Sequence, residues 1–179
     1  MDLKELYDKL KDYMGKEIIL KGWIRNHRKQ KEFGFIDFSD GTCFKHIQIV
    51  YDNTLEDFDE IQKYHIGSTI EVRGIPIKSE GKGQEIEIKA QNIKLLGDCP
   101  EDYPIQAKRH SMEFLREQAY LRPRTNLFQA TFRIRSIAAM AIHTYLQERG
   151  YVYVHSPLIT ANDGEGAGEM FQVTTLPLD

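Results

Sequence analysis

Cysteine is nearly absent from this chain, and its two cysteines, Cys43 and Cys99, make no CxxC spacing. That argues against a disulfide framework. Long hydrophobic runs are missing too: none approaches the roughly 18 residues of a membrane span. The acidic opening of Met1, Asp2, Leu3, Lys4 and Glu5 is no signal peptide. The expected setting is therefore the cytoplasm, with no membrane partner. The six histidines, His27, His46, His65, His110, His143 and His155, lack metal-ligand spacing, so no metal site is expected. There is no excess of positive charge. A net charge of −3 excludes a uniformly basic nucleic-acid binder. Nor does the chain show a nucleophile with its base or a carboxylate pair of defined separation, so no catalytic residue is expected within it.

What is present is an ordinary globular composition, 41% hydrophobic and 28% charged over 179 residues. That length admits one large domain or two small ones, and the pattern along the chain favours two. Charge is unevenly placed. Residues 21–31 carry Lys21, Arg25, Arg28, Lys29 and Lys31 with no acid, and residues 52–60 carry Asp52, Glu56, Asp57, Asp59 and Glu60 with no base. Such polarity can steer a polyanion to one face of an acidic protein.

Residues 2–14 read as a short amphipathic helix, with Leu3, Leu6, Tyr7 and Leu10 on one side and Gly15 ending it. A two-residue alternation follows. Ile18, Leu20 and Ile24 mark a first strand over residues 17–25. Ile36 and Phe38 mark a second, and Ile47, Ile49 and Tyr51 a third. Residues 55–64 look helical. Ile70 and Val72 mark a fourth strand, residues 79–83 a hairpin turn, and Ile86, Ile88 and Ala90 a fifth strand. Five strands with a helix between the third and fourth give the order of an OB-fold, a small Greek-key barrel that binds oligonucleotides on its second and third strands. Parity places Phe33 and Phe35 on the outer face with Asp37, beside His46 and Gln48. Exposed rings next to Arg25, Arg28, Lys29 and Lys31 make a platform for unstacked bases.

Beyond residue 97, Pro100 and Pro104 mark a linker. Residues 105–121 are charged and helical in part. Thr125 or Asn126 then caps a long helix whose stripe is Ala130, Ile134, Ile137, Ala138, Ala141, Ile142 and Tyr145, ended by Gly150. Tyr151 to His155 reads as a strand stopped by Pro157, and residues 162–169 as an acidic glycine-rich loop. That loop fails the GxGxxG spacing and contains no lysine, and Glu165 and Glu169 would repel phosphate, so a cationic partner suits it better. A helix, one strand and a loop cannot bury a core alone, so residues 121–179 read as the beginning of a larger domain.

Several stretches carry a family likeness. Residues 22–25, 35–38 and 47–50 resemble the anticodon-binding barrel of class IIb aminoacyl-tRNA synthetases, the aspartyl, asparaginyl and lysyl enzymes. Residues 108–116, 121–126, 157–160 and 165–175 narrow the resemblance to the bacterial-type asparaginyl enzymes, and it covers essentially the whole chain. It implies a β-barrel plus α+β architecture. A five-stranded OB-fold anticodon-binding domain would occupy residues 1–100 and a hinge residues 101–120. The first elements of an antiparallel class II catalytic domain, motif 1 helix and strand, would occupy residues 121–179.

By that resemblance Arg28, Phe35 and Gln48 read the central uridine of the anticodon, with Arg25 and Phe33 beside them and Glu87 reading a neighbouring base. Trp23 is a packing residue. Pro157 matches the proline of the motif 1 dimer interface, and Glu165 the loop glutamate that contacts the amino acid's ammonium group. The implied partners are asparagine tRNA, asparagine, ATP with Mg²⁺, and a second copy of the chain. The motif 2 and motif 3 arginines that hold ATP fall in the family beyond residue 179, so these residues alone are expected to be inactive. Two other readings stand beside this one: a non-catalytic single-strand-binding OB module, and an aspartyl enzyme, which the Glu169, Met170, Phe171 and Gln172 stretch disfavours.

Overall fold

Alternating branched aliphatics and polar residues build five strands. These are β1 (Ile18–Lys29), β2 (Phe33–Ser39), β3 (Ile47–Asp52), β4 (Thr69–Lys78) and β5 (Ile86–Gly97), closed in the order β1-β2-β3-β5-β4. Every neighbouring pair is antiparallel except β3–β5, which is parallel. One face of each strand fills the barrel, where Leu20, Ile24, Ile36, Phe38, Ile49, Val72 and Ile88 are almost wholly buried. Each such side chain contributes about 1.5–3 kcal/mol of burial free energy. The computed structural model describes residues 1–179 apart from 80, 82, 163–165, 167–170 and 177–179. They fall into two units, residues 1–134 and 135–179.

Three elements depart from the sequence pattern. The amino-terminal segment is not one helix but two, α1 (Leu3–Asp8) and α2 (Leu10–Tyr13), broken at Lys9. Asp2 caps α1, accepting from the Glu5 amide at 2.7 Å, and Leu3 and Leu6 reach the barrel core. After α2 the chain is tied to the barrel by the Gly15 amide, which donates to the Pro76 carbonyl at 3.0 Å. Between β3 and β4 the expected helix over 55–64 shrinks to one turn, α3 (Phe58–Ile61), because its start has no side-chain cap. β1 runs on through Lys29, four residues past its expected end, because β2 continues to pair with it as far as Lys29↔Gly34.

The first unit continues through α4 (Met112–Glu117), a 3₁₀ turn at Arg122–Arg124 and the start of α5 (Asn126–Gln147). Thr125 is the N-cap of α5. Its extended backbone precedes the helix, and its hydroxyl both donates to the Arg122 carbonyl at 2.7 Å and lies 3.4 Å from the Phe128 amide. A second small core gathers Cys99, Tyr103, Ile105, Leu115 and Phe128. The β2–β3 loop holds both neighbours of the barrel. Asp40 accepts from the Leu3 amide at 2.6 Å, and the Gly41 carbonyl accepts from Gln129 at 3.3 Å and Arg133 at 2.6 Å.

In the second unit, α5 leaves Ile137, Met140, Ile142 and Tyr145 exposed. Residues 151–155, expected as a strand, form none: Tyr151, Val152, Tyr153 and Val154 are exposed. They have no partner strand among the described residues, and an isolated strand leaves its backbone ladder unmade. The Tyr153 ring stands edge-on to His143 instead, 4.7 Å between centroids.

A buried polar contact fixes the outer rim of the barrel. His27 Nε2 lies 2.6 Å from the Tyr51 hydroxyl and Nδ1 3.1 Å from the Tyr64 carbonyl. A carbonyl only accepts, so Nδ1 carries the proton and Nε2 accepts from Tyr51. Burial pushes the imidazole down from its ordinary 6.5 to about 4, opposed by the Tyr64 hydrogen bond, and pushes Tyr51 up to about 12. Gly34 makes room for that tyrosine: a Cβ there would stand 2.3 Å from its ring carbon and hydroxyl.

Two outcomes follow for stability. Gly34→Ala should cost roughly 1–3 kcal/mol by overpacking against Tyr51, read as a lower urea midpoint with unchanged slope. For His27 the folded pKa lies below the unfolded value. Its contribution is thus intact above about pH 6.5 and is lost as pH falls towards 4, where only the unfolded chain takes the proton. His27→Gln should flatten the fall in stability between pH 6.5 and 4 relative to the parent, and an identical pH dependence in both proteins would contradict the buried neutral imidazole.

Candidate nucleic-acid interface

Register alone brings the outer-face residues of four strands into two parallel rows. Asn26 pairs with Asp37, Asp37 with Gln48, and Gln48 with Glu87, crossing β1, β2, β3 and β5. The adjacent row is Arg28, Phe35, Val50 and Lys89. Between and above them lies a cavity of about 360 Å³ lined by Asn26, Arg28, Phe35, Asp37, His46, Ile47, Gln48, Gly83 and Gln84. Its size and its few convergent polar groups suit one small planar ligand.

The ring, amide and guanidinium expected from the sequence meet here. The Arg28 guanidinium sits 5.0 Å over the Phe35 ring and donates from Nη2 to Gln48 Oε1 at 2.7 Å. Gln48 in turn donates from Nε2 to Glu87 Oε2 at 3.3 Å, an oxygen that also accepts from Ser79 at 2.9 Å and Gln84 at 3.4 Å. The Gln48 amide is thereby held one way round, its oxygen towards the cation and its nitrogen towards the carboxylate. Phe33, 41% exposed, meets Phe35 edge to face at 5.4 Å and extends the aromatic surface beyond the cavity. Phe35 and Gln48 are half-buried on the outside of the barrel, not within it.

Arg25 is not brought to this group. The β1–β2 register shifts between Ile24 and Asn26, leaving Arg25 as the extra residue of a bulge. Its side chain turns instead to the Arg124 carbonyl, to which it donates, and burial pulls its pKa below the ordinary value. Arg124 itself lies over the Trp23 ring at 5.2 Å and donates to the Tyr103 hydroxyl at 3.2 Å, so Trp23 packs rather than presenting a free face. Pro157 lies exposed in the irregular part of the second unit. Glu165 lies outside the described residues.

Asn26 and Gln84 were not legible from the sequence. The bulge reverses the face that simple alternation would assign to Asn26, and Gln84 belongs to the β4–β5 turn, where no period applies. Asp37 and His46 were on the expected face, but nothing in their spacing announced the 3.2 Å contact between Asp37 Oδ2 and His46 Nδ1.

Comparison with known proteins finds relatives for both parts of the chain. Residues 18–96, which span the barrel strands, match the family of OB-fold nucleic acid binding domains described as tRNA anti-codon, and residues 111–178 match the class II tRNA synthetases of the D, K and N group. The chain is 56% identical over 180 aligned residues to asparagine–tRNA ligase of Acholeplasma laidlawii, covering all of this chain and 39% of that protein. It is 53% identical to that of Clostridium acetobutylicum, over 98% of this chain and 38% of that one. The fold is shared with asparaginyl-tRNA synthetase from Pyrococcus horikoshii, at 22% identity and a TM-score of 0.73 over 83% of this chain and 36% of that chain. It is also shared with a putative aspartyl-tRNA synthetase from Leishmania major, at 17% identity and 0.75, over 88% of this chain and 34% of that chain. Spanning about two-fifths of the length of the curated relatives it matches, the chain belongs to the asparagine–tRNA ligase family of class II aminoacyl-tRNA synthetases.

Proposed function

We propose that this chain supplies the tRNA-selecting part of an asparagine–tRNA ligase. Residues 1–100 would bind the anticodon of asparagine tRNA, residues 101–120 would act as hinge, and residues 121–179 would open the catalytic domain. The observation that carries this reading is the single cavity wall on which Arg28, Phe35 and Gln48 converge. A splayed-out uracil would stack on Phe35, taking the ring face that Arg28 now covers, and the freed guanidinium would turn to base edge or phosphate. Gln48, with one acceptor and one donor direction already set by Arg28 and Glu87, would read the base edge. Phe33 would carry a flanking base, and Glu87 would hold Gln48 and face the neighbouring nucleotide. Arg25 would act from beneath, fixing the barrel to the segment around Arg124.

The whole enzyme would join asparagine to ATP as an adenylate, releasing pyrophosphate, and pass the acyl group to the terminal ribose of the tRNA. Positioning and electrostatics would carry the first step. Among the described residues no group of three His, Cys, Asp or Glu gathers as metal ligands. Glu165 would contact the substrate ammonium. Pro157 and the exposed apolar residues of α5 would meet a second copy of the chain in a homodimer, and the cytoplasm would be its compartment. No helix among the described residues is long and apolar enough to cross a membrane.

Phe35→Ala should weaken binding of an asparagine-tRNA anticodon stem-loop by roughly 1–3 kcal/mol through lost stacking, measured by titration at fixed salt. An unchanged dissociation constant would remove the aromatic platform from the reading. With ATP, asparagine and labelled pyrophosphate, the 179 residues alone should give no exchange, and clear exchange would place adenylate chemistry within them.

A further inference from the structure

Two clasps join the barrel to the start of α5, and neither belongs to the cavity. In the first, Arg25 is the extra residue of the β1 bulge, and its half-buried guanidinium donates to the Arg124 carbonyl, 99 residues along the chain. Arg124 returns the grip: its own guanidinium lies over the Trp23 ring of β1 at 5.2 Å and donates to the Tyr103 hydroxyl at 3.2 Å. In the second, Gln129 and Arg133 of α5 converge on the Gly41 carbonyl between β2 and β3, and Arg133 also lies 5.4 Å over the Phe44 ring. Arg122, in the 3₁₀ turn, stacks on Phe128 at 4.7 Å and Phe132 at 5.9 Å and so anchors that turn to α5. Among the described residues none of these four arginines forms an ion pair with a carboxylate. They are spent on carbonyls, a hydroxyl and aromatic faces, contacts that fix direction as well as distance.

We propose that Arg25 and Arg124 are positioning residues for aminoacylation. They set the angle of the barrel to the start of α5, so that a tRNA held by its anticodon delivers its terminal ribose to the reacting acyl group. This rests on the function proposed above. A single hydrogen bond is a pivot. A reciprocal clasp at the β1 bulge and a second at the β2–β3 loop together hold the barrel against rotation. They also bridge residues 101–120 from outside, so that segment swings only when the clasps open. A tRNA gripped at one end is a long lever, and a small rotation at its anticodon becomes a large displacement at its terminal ribose. A misplacement of about 1 Å at a reacting centre can cost on the order of 100-fold in rate. The bulge therefore re-aims Arg25 from the base-binding row to a different task.

The test uses the full-length ligase carrying these residues and three readouts: aminoacylation of asparagine tRNA, binding of its anticodon stem-loop, and asparagine-dependent ATP–pyrophosphate exchange. Arg25→Met, which keeps the stem and removes the donor, should lower kcat/KM for tRNA by about 10- to 100-fold while stem-loop affinity and exchange stay within about twofold of the parent. Arg25→Lys, which retains a donor, should recover part of the loss. Arg124→Ala, which leaves the carbonyl but releases Trp23, should reproduce the loss, and it carries the test if Arg25→Met does not fold. Stem-loop binding weakened as much as aminoacylation would mean that Arg25 contacts RNA. An equal loss of exchange would mean a merely structural role, and unchanged aminoacylation in both variants would mean that the clasp positions nothing. Each of these results overturns the proposal, while Phe35-dependent stem-loop binding leaves the anticodon reading standing. A parent that binds no stem-loop, or binds it without regard to Phe35, overturns both.

Discussion

The short parallel seam between β3 and β5 is the contact on which the rest depends. Only Gln48↔Glu87, Ile49↔Ile88 and Val50↔Lys89 pair across it, yet it converts a bent five-stranded sheet into a closed barrel. Beneath it Ile49 and Ile88 are fully buried, so the seam is held from inside by apolar packing. On the outside the same register sets Glu87 against Gln48, and from there the amide, the guanidinium of Arg28 and the ring of Phe35 lock in sequence. Interior and exterior are one constraint: a slip of one residue would bring Gln48 inside and expose Ile49.

A pocket built on strand faces is stiffer than one built on loops, and here the stiffness is chemical as well as geometric. Glu87 Oε2, on β5, takes donors from Gln48 of β3 and from Ser79 and Gln84 of the β4–β5 turn, so one carboxylate oxygen ties three segments together. His27 performs a comparable task on the opposite rim, where a neutral imidazole bridges Tyr51 and the carbonyl of Tyr64. Between these two ties the aromatic floor has little freedom to deform.

Much of the barrel was legible because period-two alternation is a strong signal wherever one face is buried. Ile36, Phe38, Ile47 and Ile49 announced both strands and their inner faces, and with them the outward placing of Phe35 and Gln48. The exceptions share a cause. Arg25 reads as part of a basic cluster until a bulge, which leaves no mark in composition, turns it towards Arg124. Lys9 breaks an amphipathic pattern that continues on either side of it. Residues 151–155 have every local mark of a strand, but a strand exists only through its partner. The Asp37–His46 contact is non-local in a subtler way, for it joins a side chain of β2 to one just ahead of β3, and their meeting depends on register and rotamer together.

One loop gathers more obligations than its length suggests. Residues 40–46 connect the two strands that carry Phe35 and Gln48. They also receive the first backbone amide of α1 through Asp40, and hold Gln129 and Arg133 of α5 on a single carbonyl. Whatever displaces β2 relative to β3 must therefore pull on both ends of the first unit together. The hairpin tip, ordinarily the freest place in an antiparallel pair, works here as a keystone.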